Sequence, residues 1–450
     1  MKDLTQGPIA GHIVAMAVPI ALGMIFQTLY YLVDLYFVAR LGDAAIAGVG
    51  AAGNAMMIVI ALTQVLGVGT VALISQAVGR KDQPAANLIF NQSLVLSAVC
   101  GAIVLIGGYA VTRFYMHSIA ANEATVIAGT TYLYWFLPGM ALQFALVSMG
   151  SALRGTGIVK PTMMVQIVTV VLNVIFAPIL IAGWLTGYAM GVAGAGLAST
   201  LAIAIAVGLL GIYFVRLEKY VSFHPDQWKP RLEAWKRMLA VGLPAGGEFF
   251  LLFAFVGLIY WCIRDFGATA QAGFGIGSRV MQSIFLPAMA VAFAAGPIAG
   301  QNFGARQPSR VRETFSRAAL ISTIIMATLT LLIHWNPELL IGGFTTDPAV
   351  RTMAVTFLTI SSWNFVAQGI IFTCSSVFQG LGDTRPALLS SGTRLLSFAI
   401  PALWMSAQPW FRVHYLWYVS VATVTMQALL SWALIRVQFR RRLTLIEAAA

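Results

Sequence analysis

Two acidic side chains stand where acids are rarely tolerated. Asp34 and Glu248 fall inside long apolar runs, whereas the other acidic residues fall in polar breaks, near span ends or at the termini. An aspartate at the middle of a membrane-crossing helix costs about 2.5 to 3.5 kcal/mol on insertion scales, so such a residue usually faces a cavity and carries a function. Taking a carboxylate out of water disfavours its charged form, which suits a group that takes up and releases a proton. On a helix, Gln27, Tyr30, Tyr31, Phe37 and Val38 share a face with Asp34, by their spacings of three, four and seven residues. Gln27 and the two tyrosine hydroxyls are candidates to hold the carboxylate or a bound cation, with packing as the plainer use of the aromatic rings. Glu248, just after GLPAGG, has a plainer use too, as partner to Arg279 or Arg394, the two arginines inside apolar runs. Other polar groups within such runs include Gln166, Asn173, Thr200, Gln282, Asn364 and Gln368. Each reads first as a hydrogen bond between helices.

The elements that must position these groups are membrane spans. The 450 residues are 59% hydrophobic and only 9% charged, with a mean hydropathy of +0.84. A soluble chain carries roughly 25% charged residues, so the solvent of this one is largely lipid. A span needs about 20 apolar residues. Polar or turn-rich breaks near 40–43, 79–84, 113–123, 150–160, 184–191, 216–237, 264–268, 302–312, 334–348, 379–386 and 407–413 leave about twelve such spans. The first apolar segment, 13–39, is too long for a cleaved leader and is followed by no small-residue cleavage site, so it is expected to remain as span 1. Cys100, Cys262 and Cys374 lie singly in apolar runs, which points to packing and to no metal or disulfide. No phosphate-binding loop, zinc motif or nucleophile elbow occurs, and no enzyme is expected. The GLGD string at Gly380–Asp383, suggestive of an intramembrane protease, falls in a polar break without a second aspartate to pair with.

Basic residues orient the spans. One side receives Lys2, the pairs Arg80–Lys81 and Arg154–Lys160, the central linker and the arginines near 306–317, 385 and 436–442. The opposite side receives Arg40, Arg113, Arg264, Arg351 and Arg412. Under the positive-inside rule both termini are cytoplasmic, as an even span count requires. The net charge of +12 is thus a topology signal, and nucleic acid is not an expected partner. The expected setting is the inner membrane, as a multi-pass monomer in the lipid bilayer.

The sequence also repeats itself at an offset of 225 residues. Pro19 meets Pro244, LGDAAIAGVG (41–50) meets FGATAQAGFG (266–275), and Gln76 and Gly79 meet Gln301 and Gly304. SALRGTGIVKP (151–161) meets SVFQGLGDTRP (376–386), and Gln143 meets Gln368. Glycines and prolines mark backbone positions, so the halves share a fold. The expected fold class is an all-α membrane protein of two parallel six-helix repeats. Its expected domains are an N-terminal lobe over 1–220, a cytoplasmic linker over 221–237 and a C-terminal lobe over 238–450. Parallel repeats of this kind enclose a central cavity in transporters that alternate their access. Asp34 lies 15 residues after Pro19 and Glu248 only 4 after Pro244, roughly 16 Å apart in depth. They are expected to be separate stations of a pathway, not a dyad.

LYYLVDLYFVARLG (29–42), GLPAG (242–246) and the paired RGTGIVKP and QGLGDTRP loops resemble the multidrug and toxic compound extrusion (MATE) family over essentially the whole chain. The resemblance implies a two-lobed, V-shaped bundle that exports amphipathic organic cations, drugs or metabolites, against entering protons or sodium, with no other cofactor. It implies that Asp34 couples the cation, with Asn173 near it and Thr200 matching a polar residue of span 6. Tyr31 replaces an asparagine common before the aspartate, and Ala177 stands where many members have a polar or acidic residue. Gln368 stands where one branch has an acid, and Glu248 falls about one turn before that branch's span 7 glutamate. The resemblance therefore favours the DinF-like branch, with coupling in the N-terminal lobe. Sodium near Asp34 is the alternative to protons, and it suffers more from a missing acidic ligand. Gln27, Tyr30, Tyr31, Glu248, Gln143, Gln368, Arg279 and Arg394 are the expected cavity residues. A lipid-linked saccharide flippase of the same superfamily is the rival reading, which would call for several cavity arginines.

Overall fold

In a computed structural model, residues 1–120 and 122–444 are described. The helices are α1 (Ile9–Ala39), α2 (Asp43–Gly79), α3 (Gln83–Ile119), α4 (Glu123–Gly155), α5 (Lys160–Ala182), α6 (Val192–Arg216) and α7 (Leu232–Ile263). They continue as α8 (Gly267–Gly304), α9 (Pro308–Trp335), the short α10 (Glu338–Ile341), α11 (Pro348–Ser361), α12 (Asn364–Gly380), α13 (Arg385–Ser406) and α14 (Val413–Gln438). In lipid every backbone polar group must be satisfied within the segment, which is why apolar runs this long become helices. Side-chain caps start several of them: Asp82 accepts from the Ala85 N–H at 3.1 Å and Asn122 from the Thr125 N–H at 2.9 Å. The fold class read from the sequence is the one observed, with α11 and α12 together supplying span 10. They meet at a 58° bend across Ser362–Trp363, where the sequence gave no proline or glycine to announce a break.

The repeat is visible in the backbone itself. Lys81 and Arg306, 225 positions apart, both take left-handed φ values, 59° and 57°. After them the Asp82 and Gln307 N–H groups donate to Ala77 and Asn302 carbonyls, each at 2.9 Å, the bond that closes a helix end around a left-handed residue. Gly157 (φ 80°) and Gly382 (φ 75°) close α4 and α12 in the same way. A Cβ on Gly155 would lie 2.9 Å from Ile74 of α2, and one on its mate Gly380 would lie 2.5 Å from the Gly296 carbonyl oxygen of α8.

The chain forms two compact units. One holds Met1–Asp3 and Leu22–Gly242, the other Leu4–Ala21 and Leu243–Ala450. Each repeat therefore begins its first helix in the unit of the other repeat, and the change falls near Pro19 and Pro244. Within the first unit α4 packs on α2, α3 and α6, and α5 on α6. Its core includes Phe90 stacked on Phe214 at 4.6 Å. The second unit packs α8 on α9, α11 and α12, and α14 on α12 and α13, around rings such as Trp417 stacked on Phe274 at 5.5 Å. The linker is strapped to α3: Asn87 accepts from the Ser222 N–H, Asn91 from His224 N–H and the Trp228 indole, and Gln92 from Arg231 N–H, all at 2.8–3.0 Å.

Candidate functional site

Asp34 sits on the outer half of α1 and is 8% exposed. Its Oδ2 accepts from the Tyr132 hydroxyl of α4 at 3.5 Å, the outer limit of a hydrogen bond. Its Oδ1 is buried without a partner. Among the described residues no basic group forms an ion pair with it. One turn earlier the Tyr30 hydroxyl faces Ser199 of α6, yet neither group meets hydrogen-bond geometry and both are buried. Tyr31, whose ring packs edge-on against Tyr30 at 5.7 Å, turns its hydroxyl to Gln27. Both Tyr31 and Gln27 keep accessible surface.

Asn173 joins this neighbourhood through helix register. A Cβ on Gly23 of α1 would lie 2.1 Å from Oε1 of Gln166 on α5, so the glycine lets the two helices touch there. The two helices are separated by four crossings and run the same way. Seven residues further along each, about 10 Å, come Tyr30 and Asn173. Asn173 is fully buried, and neither its Oδ1 nor its Nδ2 has a partner. Buried polar groups are nearly always satisfied. Here the Asp34 Oδ1, the Tyr30 and Ser199 hydroxyls and the Asn173 amide are left open, with α1, α5 and α6 supplying them. Such a set offers a proton site on the carboxylate or several oxygens to a small cation.

Thr200, next to Ser199, is used differently. Pro138 removes one donor from α4, and the Tyr134 carbonyl it would have served accepts the Tyr109 hydroxyl at 2.8 Å. One residue on, Thr200 Oγ1 accepts from the Gly139 N–H at 3.3 Å and donates to the Trp135 carbonyl at 2.6 Å. The threonine thus splices α6 into the ladder of α4 at its proline. Gln143 is half-buried on α4, just beyond.

In the second unit Glu248 accepts from Ser375 of α12 at 2.8 Å and from Ser391 of α13 at 3.4 Å. Gln427 of α14 donates to Ser391 Oγ at 3.1 Å, and its oxygen accepts from Arg394 Nη1 at 3.4 Å, as does that of Gln368. Glu248 and Arg394 are therefore linked through a hydroxyl and an amide, and among the described residues no direct ion pair joins Glu248 to an arginine. Arg279 lies exposed on α8. Tyr132, Ser199, Ser375, Ser391 and Gln427 were not singled out from the sequence. Serines and a tyrosine are common in spans, and only tertiary packing brings these to the acids.

The family model MatE matches this chain twice, over residues 19–179 and again over 244–405. The chain belongs to the MatE family. The two matches begin at the prolines that the internal repeat superposes. Among MatE relatives, the probable multidrug resistance protein YoeA of Bacillus subtilis is 25% identical over 386 residues, 83% of this chain and 82% of that protein. The multidrug export protein MepA of Staphylococcus saprophyticus is 24% identical over 381 residues, 83% and 82% of the two chains. The fold is that of a MOP superfamily transporter from Pyrococcus furiosus, with a TM-score of 0.90 at 23% identity over 99% of this chain and 98% of that one. This MatE protein is a multi-pass membrane transporter and not an enzyme.

Proposed function

We propose that the protein exports amphipathic cationic drugs or metabolites in exchange for protons, with Asp34 as the group that changes charge. The observation that carries this reading is the Asp34 carboxylate, buried, without an ion-pair partner among the described residues and with one oxygen unpartnered. A buried carboxylate of this kind is tolerated as the neutral acid or with a cation taken up beside it. Alternation between those two forms is what coupling requires. The relatives named for multidrug resistance and export support the cargo class.

In the proposed cycle Asp34 is protonated from the outer side, and its neutral form lets the cargo leave outward. After the switch to the inward-open state the proton departs to the cytoplasm, and the charged form receives cationic cargo again. One charge moving inward contributes about 2.3 kcal/mol per 100 mV. The reading places the protein in the inner membrane as a monomer, with both termini in the cytoplasm. Sodium is the alternative coupling ion, held by Asp34 with the open oxygens of Asn173, Ser199 and Tyr30. Efflux of ethidium from proteoliposomes, driven first by a pH gradient and then by a sodium gradient, tests the scheme. Wild type is expected to respond to the pH gradient and Asp34→Asn to neither. Export by Asp34→Asn at the wild-type rate would sink it.

A further inference from the structure

The second unit holds a cation that no acid neutralises. Arg394 forms no ion pair among the described residues. A charge inside a membrane span is costly and is ordinarily paired, and a guanidinium left without a counter-charge is costly again. Its bonding is one-sided. Nη1 reaches the oxygens of Gln368 and Gln427, each at a long 3.4 Å, and the Phe255 ring covers one face at 4.4 Å. Nε is buried without a partner, and among the described residues Nη2 makes no hydrogen bond. Nε and Nη2 form one edge of the planar group, the edge that takes the two oxygens of a carboxylate side by side.

The surroundings hold the guanidinium in that pose. Gln427 gives its N–H to Ser391 and Ser391 gives its hydroxyl to Glu248, so the Gln427 amide must present its oxygen to Nη1. Arg394, Gln368 and Ser391 all keep some accessible surface. We propose that Arg394 is a subsite for the carboxylate of a transported amphiphile. The substrates then include zwitterions that carry a carboxylate besides their basic nitrogen, a refinement that rests on the export function proposed above. One guanidinium balances one negative charge. A phosphate dianion would call for a second cation, and Arg279 has no place in this network.

The test compares an acid with its own ester. Binding of norfloxacin, its ethyl ester and ethidium is measured on the purified full-length protein in detergent. Charge-assisted hydrogen bonds of this kind are strong enough for a tenfold to hundredfold effect. Wild type is expected to bind the acid at least about tenfold more tightly than the ester. Arg394→Gln should bring that ratio to within about twofold while ethidium binding stays unchanged, and Arg394→Lys should restore part of it. Equal binding of acid and ester by wild type overturns the proposal, as does an Arg394→Gln protein that keeps the preference. Should Arg394→Gln not purify intact, Gln427→Glu sets a competing carboxylate against Nη1 and should erase the preference by itself; its persistence would overturn the proposal too. Failure of ethidium efflux in proteoliposomes counts against the transport cycle and leaves the acid-to-ester ratio to be read separately.

Discussion

Asn173 presents a conflict between folding and function that a single substitution can separate. Its amide is fully buried and both polar atoms are unpartnered, and a buried unsatisfied donor or acceptor costs about 1 to 3 kcal/mol. Asn173→Leu keeps the volume and removes both groups. The substituted protein is expected to unfold at a higher temperature in detergent than wild type, and to lose pH-driven efflux. A stabilised protein that still transports would show that the open amide serves no step of coupling. The acids themselves were legible, because a carboxylate inside an apolar run has few explanations. Their partners were not: Glu248 invited an arginine and met two serines, and Tyr132 reaches Asp34 from a helix 98 residues away in the chain. That distance is bridged by packing, on which residue type and spacing are silent.

At the scale of the element, apolar runs and their punctuation located the helices, and what escaped were the places where one helix repairs or bends another. Thr200 was legible as a polar group in span 6, yet its hydroxyl bridges the Gly139 N–H and the Trp135 carbonyl beside Pro138. Thr200→Val preserves shape and deletes the bridge. It is expected to lower stability by about 1 to 3 kcal/mol, with transport falling only in step, while Thr200→Ser behaves as wild type. Full thermal stability with no efflux would instead place Thr200 in the coupling step. The repeat yields a paired prediction. Alanine at Gly380 would press on the Gly296 backbone oxygen at 2.5 Å, whereas alanine at Gly155 meets the side chain of Ile74 at 2.9 Å. Backbone yields less readily than a side chain, so Gly380→Ala should reduce the yield of folded protein more than Gly155→Ala. Equal losses would mean that α8 shifts as freely as the isoleucine. The bend at Ser362–Trp363 left no mark of its own in the sequence, because Thr330 of α9 holds it from outside, donating to the Ser362 carbonyl at 3.1 Å.

For the whole molecule, the fixed offset of 225 residues was the strongest sequence signal, and it returns as matched helix ends, matched left-handed residues and two family matches starting at Pro19 and Pro244. The assignment of Leu4–Ala21 to the unit of the second repeat was not legible, since an apolar helix half carries no sign of which neighbours it will meet. Orientation rests on the basic residues alone, and the direction of export follows from it. With Cys100, Cys262 and Cys374 replaced by alanine, single cysteines at exposed loop positions report the side directly. The turn after α5 and the segment between α10 and α11 follow an odd number of crossings and carry few basic groups, so Thr186→Cys and Thr346→Cys are expected to react with a membrane-impermeant maleimide on intact cells. Ser309→Cys lies at the head of α9 among Arg306, Arg310 and Arg312, and should react only after permeabilisation. Those arginines face an anionic cytoplasmic leaflet in the proposed orientation, which favours them by about 1 kcal/mol each. An inverted labelling pattern would place the outer half of α1, and Asp34 with it, nearer the cytoplasm. Entering protons could then no longer reach the acid from the side on which cargo is released, and the proposed exchange would run in the wrong direction.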